Sequence, residues 1–487
     1  VLIKALEDRD PNTPVLFQNN RSVTAGELAS KASTLAGALA SRKILEGDRV
    51  ALLLPNCREL VLALAACARI GAIAAPLDPA ATAPELVRLL APLEPRCVFA
   101  LSRGVAALTQ ALAASDFPPP LVVRIDHEVA GAPGSVHLDE LLEVRLPVPP
   151  RPPERTLLLA HAAWRGRGRP HFALLGADAA YACALAAARA TGVEAATRGG
   201  GALLAAAPFF RAPALAIHVI APILLGFPVV VLKQLRARMA LRLAHAHGVR
   251  VVVAPPALLN LMARMAVSGP GRPLESLRLL VATAAPRPDA TTVDLVETAF
   301  GSPLVWGYGS AEAPWALAVP EAARGLPPAE RGLGEPIGRD VHVRAVAQGV
   351  EVAPGEEGAI HVAAPWAARE LLGASREDLP APLGAPTGDR GVRGARGLEL
   401  LPREDVATVA AFEVDLAEVG AALAEHPSVA SAQAYSVPDP ETGSHLGVVV
   451  TLARGKEASV AQLVDFVRER LSYYKVPFTF RFKVTPP

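Results

Sequence analysis

The sequence predicts an α/β protein with a large N-terminal domain of parallel-sheet subdomains, a small β-rich subdomain, and a small α+β C-terminal domain. Three observations carry that expectation. Apolar runs of strand length alternate with apolar helical stretches through about the first 300 residues, the pattern of βαβ units. Short alternating strands separated by turns take over between about 326 and 402. The last eighty or so residues alternate strand and helix again, as a separate module would. A chain of 487 residues also exceeds one core, so roughly two to four domains or subdomains are expected.

In chain order, a short strand from Val15 leads to a turn at Asn19–Arg21 and a helix capped by Thr24 with Glu27 three residues on. ALLLPN, the helix from Glu59 to Ile70 and AIAAPLDP form a βαβ unit. A second unit runs through Glu85–Leu93 to CVFAL. Residues 144–155 carry five prolines and read as a linker or surface loop. A strand and a Gly/Arg loop follow, then a helix for which Asp178 is the expected N-cap.

Ala212–Leu232 has membrane-like length and lacks Asp, Glu, Lys and Arg, but three prolines and His218 interrupt it. It reads as a buried helix followed by a buried strand. The segments VVVAPPALLNLM and LRLLVATAAP, and a helix from Ala290 to Phe300, lead to VWGYGSAEA. Past the β-rich stretch, a helix over Asp415–Ala424 and another over Val460–Leu471 belong to the tail. The expected division is 1–402, with subdomains near 1–150, 151–325 and 326–402, then 403–487.

Composition narrows the partners. Basic and acidic residues balance at 48 against 47, which argues against a nucleic-acid or anionic-membrane surface and for small ligands. Hydrophobic residues make up 51% but aromatics only 5%, so the apolar content is mostly Ala, Leu and Val. Cys57, Cys67, Cys97 and Cys183 form no CxxC pair and have no His at metal spacing, consistent with a reduced compartment. The N-terminus shows no signal-peptide pattern, so a cytoplasmic location without an integral membrane segment is expected.

The stretch VWGYGSAEA, Val305–Ala313, organises the functional reading. Its apolar lead-in suits the end of a strand, Gly307 and Gly309 suit a turn approached closely by a ligand, and Glu312 adds a carboxylate. Read alone, it is equally a glycine turn after a buried strand.

Taken with its neighbours, the chain resembles the adenylate-forming superfamily of acyl- and aryl-CoA synthetases, nonribosomal peptide synthetase adenylation domains and luciferases. The resemblance rests on about ten motifs in order: GDRVALLLPN, GAIAAPLDP, APFFRAPAL, APILLGFPVVVL, VVVAPPALLNLM, VATAAPRP, GYGSAEA, GEPIG with PGEEGAI, PTGD, and DLAEVGAALAEHPSVASAQAYSVPD with LSYYKVP. It implies an AMP-forming ligase that activates a carboxylic acid with Mg-ATP and passes the acyl group to coenzyme A or a carrier-protein thiol.

By resemblance, Tyr308, Gly309, Ala284, Asp389, Arg403, Gly168 and His171 would face the ATP or AMP, and Glu312 would hold Mg²⁺. Arg403 would reach the ribose and phosphate region. Asp405 would mark the hinge of a mobile C-terminal domain. Phe209, Phe210, Arg211, Trp306, Gly307 and Trp315 would line the acid pocket. A carrier protein or another protein is a further implied partner.

The chain also departs from the family pattern. The phosphate loop TSGTTGxPKG is replaced over Ala163–Phe172, leaving only Gly168 and Pro170 in register, with His171 at the lysine position. Ala311 replaces the threonine of YGxTE, Arg211 the histidine of PxFH, and TVAAF the segment with paired glycines. The chain stops about where the segment carrying the family's catalytic lysine is expected to begin. Two functions follow as expectations: a ligase of weak turnover, or a catalytically degenerate relative that binds an acyl group, nucleotide or protein.

Overall fold

The parallel strands are nearly continuous Val, Leu and Ala, because a parallel sheet is covered on both faces and gives no alternation. The computed structural model describes all residues except 1, 20, 128–133, 149, 151–156, 162–169, 269–273, 284–286, 369, 374–382, 395–396, 411, 440–442 and 484–487, with backbone alone at 157–161. Two large sheets dominate the described residues. One has nine strands, and its parallel centre runs Leu304–Tyr308, Leu279–Ala282, Val251–Ala254, Leu203–Ala205, Val229–Val231, Pro14–Gln18. The other has eight, with parallel neighbours Ile73–Pro76, Arg49–Leu53, Cys97–Ala100 and Leu121–Arg124 at its centre.

Sheet membership crosses residue 150 in both directions. Pro14–Gln18 pairs with Val229–Val231 in the nine-stranded sheet, whereas Leu157–His161 and Phe172–Gly176 join the eight-stranded one. The expected short strands of the second half form a five-stranded antiparallel sheet from His342 to Leu400.

Local signals explain the helices. Thr24 accepts a hydrogen bond from the Glu27 amide, the cap that the sequence suggests. Ala212–Leu225 is helical with a π-turn at Ala216–Ile220, buried, and followed by the strand Val229–Val231. Among the described residues no helix is long and apolar enough to cross a membrane. Asp178 is not an N-cap: the helix Ala177–Ala190 starts one residue earlier, Gly176 is the cap, and the Asp178 carboxylate accepts from the adjacent Ala179 amide.

The tail has its own core, with Leu416, Val419, Leu423, Val448, Val450 and Leu463 buried together. Asp415 caps Leu416–Ala424 by accepting from the amides of Ala417 and Glu418. A hairpin, Val406–Val409 with Phe412–Asp415, projects from this unit. At its turn Ala410 has φ +55°, a left-handed conformation that costs a non-glycine residue roughly 1–2 kcal/mol. Ala410→Gly is therefore expected to stabilise the protein by about 0.5–1 kcal/mol after its extra unfolded-state entropy is counted, read as a rise in the thermal midpoint.

Candidate functional site

Parallel strands end together, and the loops leaving their carboxyl ends make a crevice, the usual ligand position in open α/β sheets. Here the crevice is lined by Asp78 after Ile73–Pro76, by Ala207, Pro208, Phe210 and Arg211 after Leu203–Ala205, by Pro255 and Thr283 after the next two strands, and by Gly309–Glu312 after Leu304–Tyr308. The β-rich sheet contributes Thr387 and Asp389. The C-terminal unit closes the crevice with Arg403, Phe412, Glu413, Tyr474 and Lys475.

Tyr308 is buried at the end of its strand and donates its hydroxyl hydrogen bond towards Thr387 Oγ1 and Asp389 Oδ2, at 2.7 and 2.8 Å. Burial, reinforced by the Asp389 carboxylate, pushes the phenol well above its ordinary range, so it remains a donor. Asp389 also sits above the usual carboxylate range. Burial is the main cause; the Tyr308 bond pulls the other way, and the nearby Glu413 charge adds to the rise. Arg403 lies 3.8 Å from Asp389 and is paired at 2.7 Å with Asp405, whose side chain is exposed.

The glycines around Tyr308 serve the chain's own return. A Cβ on Gly307 would meet Leu317 O at 2.3 Å and the Trp315 ring at 2.5 Å, and one on Gly309 would meet Pro314 O at 2.0 Å. Both are needed where the chain doubles back to pair Gly307 with Ala318, so the space a Cβ would take is filled by the chain itself.

Glu312 is 2% exposed, and its Oε1 is 3.3 Å from His171 Nε2, itself buried. The structure thus brings together the residue expected at the metal and the one at the lysine position of the phosphate loop. Glu312 offers the hard oxygen chemistry that suits Mg²⁺. Thr283 offers more: its Oγ1 is buried in the crevice wall with no partner among the described residues, an arrangement a polar ligand would satisfy. Ala284 and Gly168 lie outside the described residues.

The six residues expected at the acid pocket separate. Phe210 and Arg211 line the crevice. Phe209 is fully buried, packing on His218 at 5.7 Å between ring centroids, with its amide held by Asn56. Trp306 points into the core, donating to Gly332 O beneath Arg287 and Arg331. Gly307 and Trp315 border a separate small recess beside Tyr308, and Trp315 donates to Pro213 O. At the crevice mouth, Phe412 stacks on Tyr474 at 4.1 Å and on Phe210 at 6.3 Å, and Arg211 meets Glu413 at 3.1 Å.

Sequence reasoning missed the charge cluster that seats the C-terminal unit. Lys475 is buried and donates to Glu85 and Glu418, at 2.7 Å each. Glu85 also accepts from the Thr82 amide and the Ser472 hydroxyl, while Arg88 meets Glu418 and Tyr474 donates to Asp78. The capping pattern Thr82-x-x-Glu85 and the YK of LSYYKVP were visible separately, but nothing local joins them.

The comparisons agree with this architecture. The chain matches the AMP-binding enzyme family over residues 4–161 and 168–372, and the AMP-binding enzyme C-terminal domain over 418–485. It is 25% identical to a sulfoacetate–CoA ligase of Cupriavidus necator, covering 97% of this chain and 91% of that protein. It is 26% identical to the fatty acid–[acyl-carrier-protein] ligase ScoC of Streptomyces coeruleorubidus, covering 97% and 90%. Its fold superposes on o-succinylbenzoate CoA synthetase from Bacillus subtilis with a TM-score of 0.83, at 21% identity and covering 100% and 95% of the two chains. With both family regions matched and the fold shared along its length, the chain belongs to the AMP-binding enzymes, the adenylate-forming family of acyl-CoA-ligase-like proteins.

Proposed function

We propose that this protein is an AMP-forming carboxylic acid ligase that activates an acid as its acyl adenylate for transfer to a thiol, with low turnover. The observation that carries the reading is the convergence of Asp389, held from behind by Tyr308, and Arg403 on one crevice that also holds Glu312. Asp389, oriented by Tyr308, accepts from the ribose hydroxyls, and Arg403 faces the ribose and phosphate side. Thr283 gives its unpaired hydroxyl to the nucleotide or acid. Glu312 is the residue that would hold Mg²⁺, whose charge would offset that developing on the phosphates.

Low turnover follows from the phosphate side. Ala311 has no hydroxyl, and His171 is engaged with Glu312, so donor density among the described residues there is reduced. The same pair supports a second reading, in which the crevice binds nucleotide or acid without adenylating. Carboxylate-dependent exchange of pyrophosphate into ATP separates them: measurable exchange with any acid supports the ligase, and its absence alongside AMP binding supports the binding protein. The acceptor is coenzyme A or a carrier-protein thiol, tested by supplying each with the activated acid. Asp389→Asn is expected to weaken AMP binding by roughly tenfold, the loss of a charged hydrogen bond, measured by calorimetry.

A further inference from the structure

Three cations line the crevice among the described residues: Lys475, Arg403 and Arg211. Lys475 is held by the two buried carboxylates of Glu85 and Glu418, and Arg403 by Asp405 with Asp389 beyond it. Arg211 differs in having a single acidic neighbour among the described residues, and that one sits on a hairpin of the other unit. Arg211 caps the short helix Ala212–Leu215 in the large domain. Glu413, 3.1 Å away, lies on the hairpin strand Phe412–Asp415 of the C-terminal unit.

Both side chains are about a quarter exposed or less, at 26% and 21%. They sit beside an apolar wall of Phe210, Phe412 and Tyr474. A guanidinium at the edge of an apolar wall matches a carboxylic acid: the planar fork takes the carboxylate while the acyl chain or ring takes the wall.

We propose that Arg211 anchors the carboxylate of the acid substrate, and that Glu413 is an internal carboxylate occupying the same position while the hairpin is seated. The inference rests on the ligase reading and adds to it a residue that binds the acid and a competitor for that residue. Acid binding and hairpin seating then exclude each other, and by linkage each weakens the other by the same factor. An acid entering the crevice releases the hairpin, and a seated hairpin expels the acid. The partial exposure of the ion pair limits the effect to a modest factor.

The test uses the full chain and its Arg211→Gln, Arg211→Lys and Glu413→Gln variants. Benzoate and octanoate are titrated by calorimetry against the neutral benzamide and octanamide, with AMP titrated in parallel. Glu413→Gln is expected to tighten carboxylate binding by roughly two- to fivefold. Arg211→Gln is expected to weaken it by about tenfold and Arg211→Lys by less, with amide affinities unchanged throughout. Hydrogen exchange over 406–415 is expected to quicken when benzoate binds the native chain and to be indifferent to it in Glu413→Gln.

Acids and amides shifting together, no loss in Arg211→Gln, or no acid binding to Glu413→Gln overturns the proposal. AMP binding without carboxylate preference removes the anchor and leaves the ligase reading standing. Arg211-dependent carboxylate binding without AMP binding does the reverse.

Discussion

Lys475→Met is expected to destabilise the protein by about 3–5 kcal/mol, because it leaves Glu85 and Glu418 buried without their shared cation. Denaturant titration measures the loss. Glu85→Gln removes the contact with the large domain but keeps the pair with Glu418, so it should loosen the C-terminal unit, seen as faster proteolysis near residue 403, at a smaller cost in stability.

The signs of the shifts set the pH window. Burial alone would lower Lys475, but the two carboxylates outweigh it and hold it above its usual range. Burial would raise Glu85, yet Lys475 and the donors Thr82 and Ser472 bring it below. At Glu418 burial wins and the carboxyl lies above its ordinary value. The Glu85 contribution is present above its unfolded value near pH ~4.3 and disappears as pH falls through its lower folded value. The Lys475 contribution is present below its unfolded value near pH ~10.4 and disappears as pH rises through its higher folded value. Docking of the C-terminal unit should therefore hold across neutral pH and fail at both extremes, which proteolysis at stepped pH would follow.

Glu312→Ala is expected to lower carboxylate-dependent pyrophosphate exchange by roughly 10²–10³-fold, the scale of losing a preorganised electrostatic group. AMP binding, which depends on Asp389 and Tyr308, should change little. Unchanged exchange would remove Glu312 from the reaction. A parallel loss of AMP affinity would mean that the buried carboxylate supports the nucleotide wall and not the phosphates.

The strands were legible because burial on both faces writes itself as VVVA or ALLL, a local signal that context does not overturn. The helix expected over Asp415–Ala424 was legible too, although Asp415 proves to be its cap and not its first residue. Asp178 was misread because an acidic residue in the first helical turn looks like a cap two residues away. The nearness of Glu312 to His171, 141 positions apart in sequence, exists only after two sheets assemble; the pattern singled out Glu312, and only the resemblance named His171. Lys475 and Glu85 are 390 positions apart, and a lysine in a YK dipeptide carries no mark of burial. The GYG glycines marked the place, but sequence cannot show that the space beside each missing Cβ is taken by the returning chain.

That crowding also decides where the crevice can be reshaped. On one side Gly309 belongs to the turn Gly307–Trp315, which is packed against its own backbone, so enlarging a side chain there displaces main chain. Another part of the lining is assembled from Arg211 and Phe210 on one unit and Phe412 and Glu413 on another, which meet through these side chains. Variation in acid preference among redesigned versions should therefore accumulate at this seam, where a residue can be exchanged without refolding the strand that carries Tyr308.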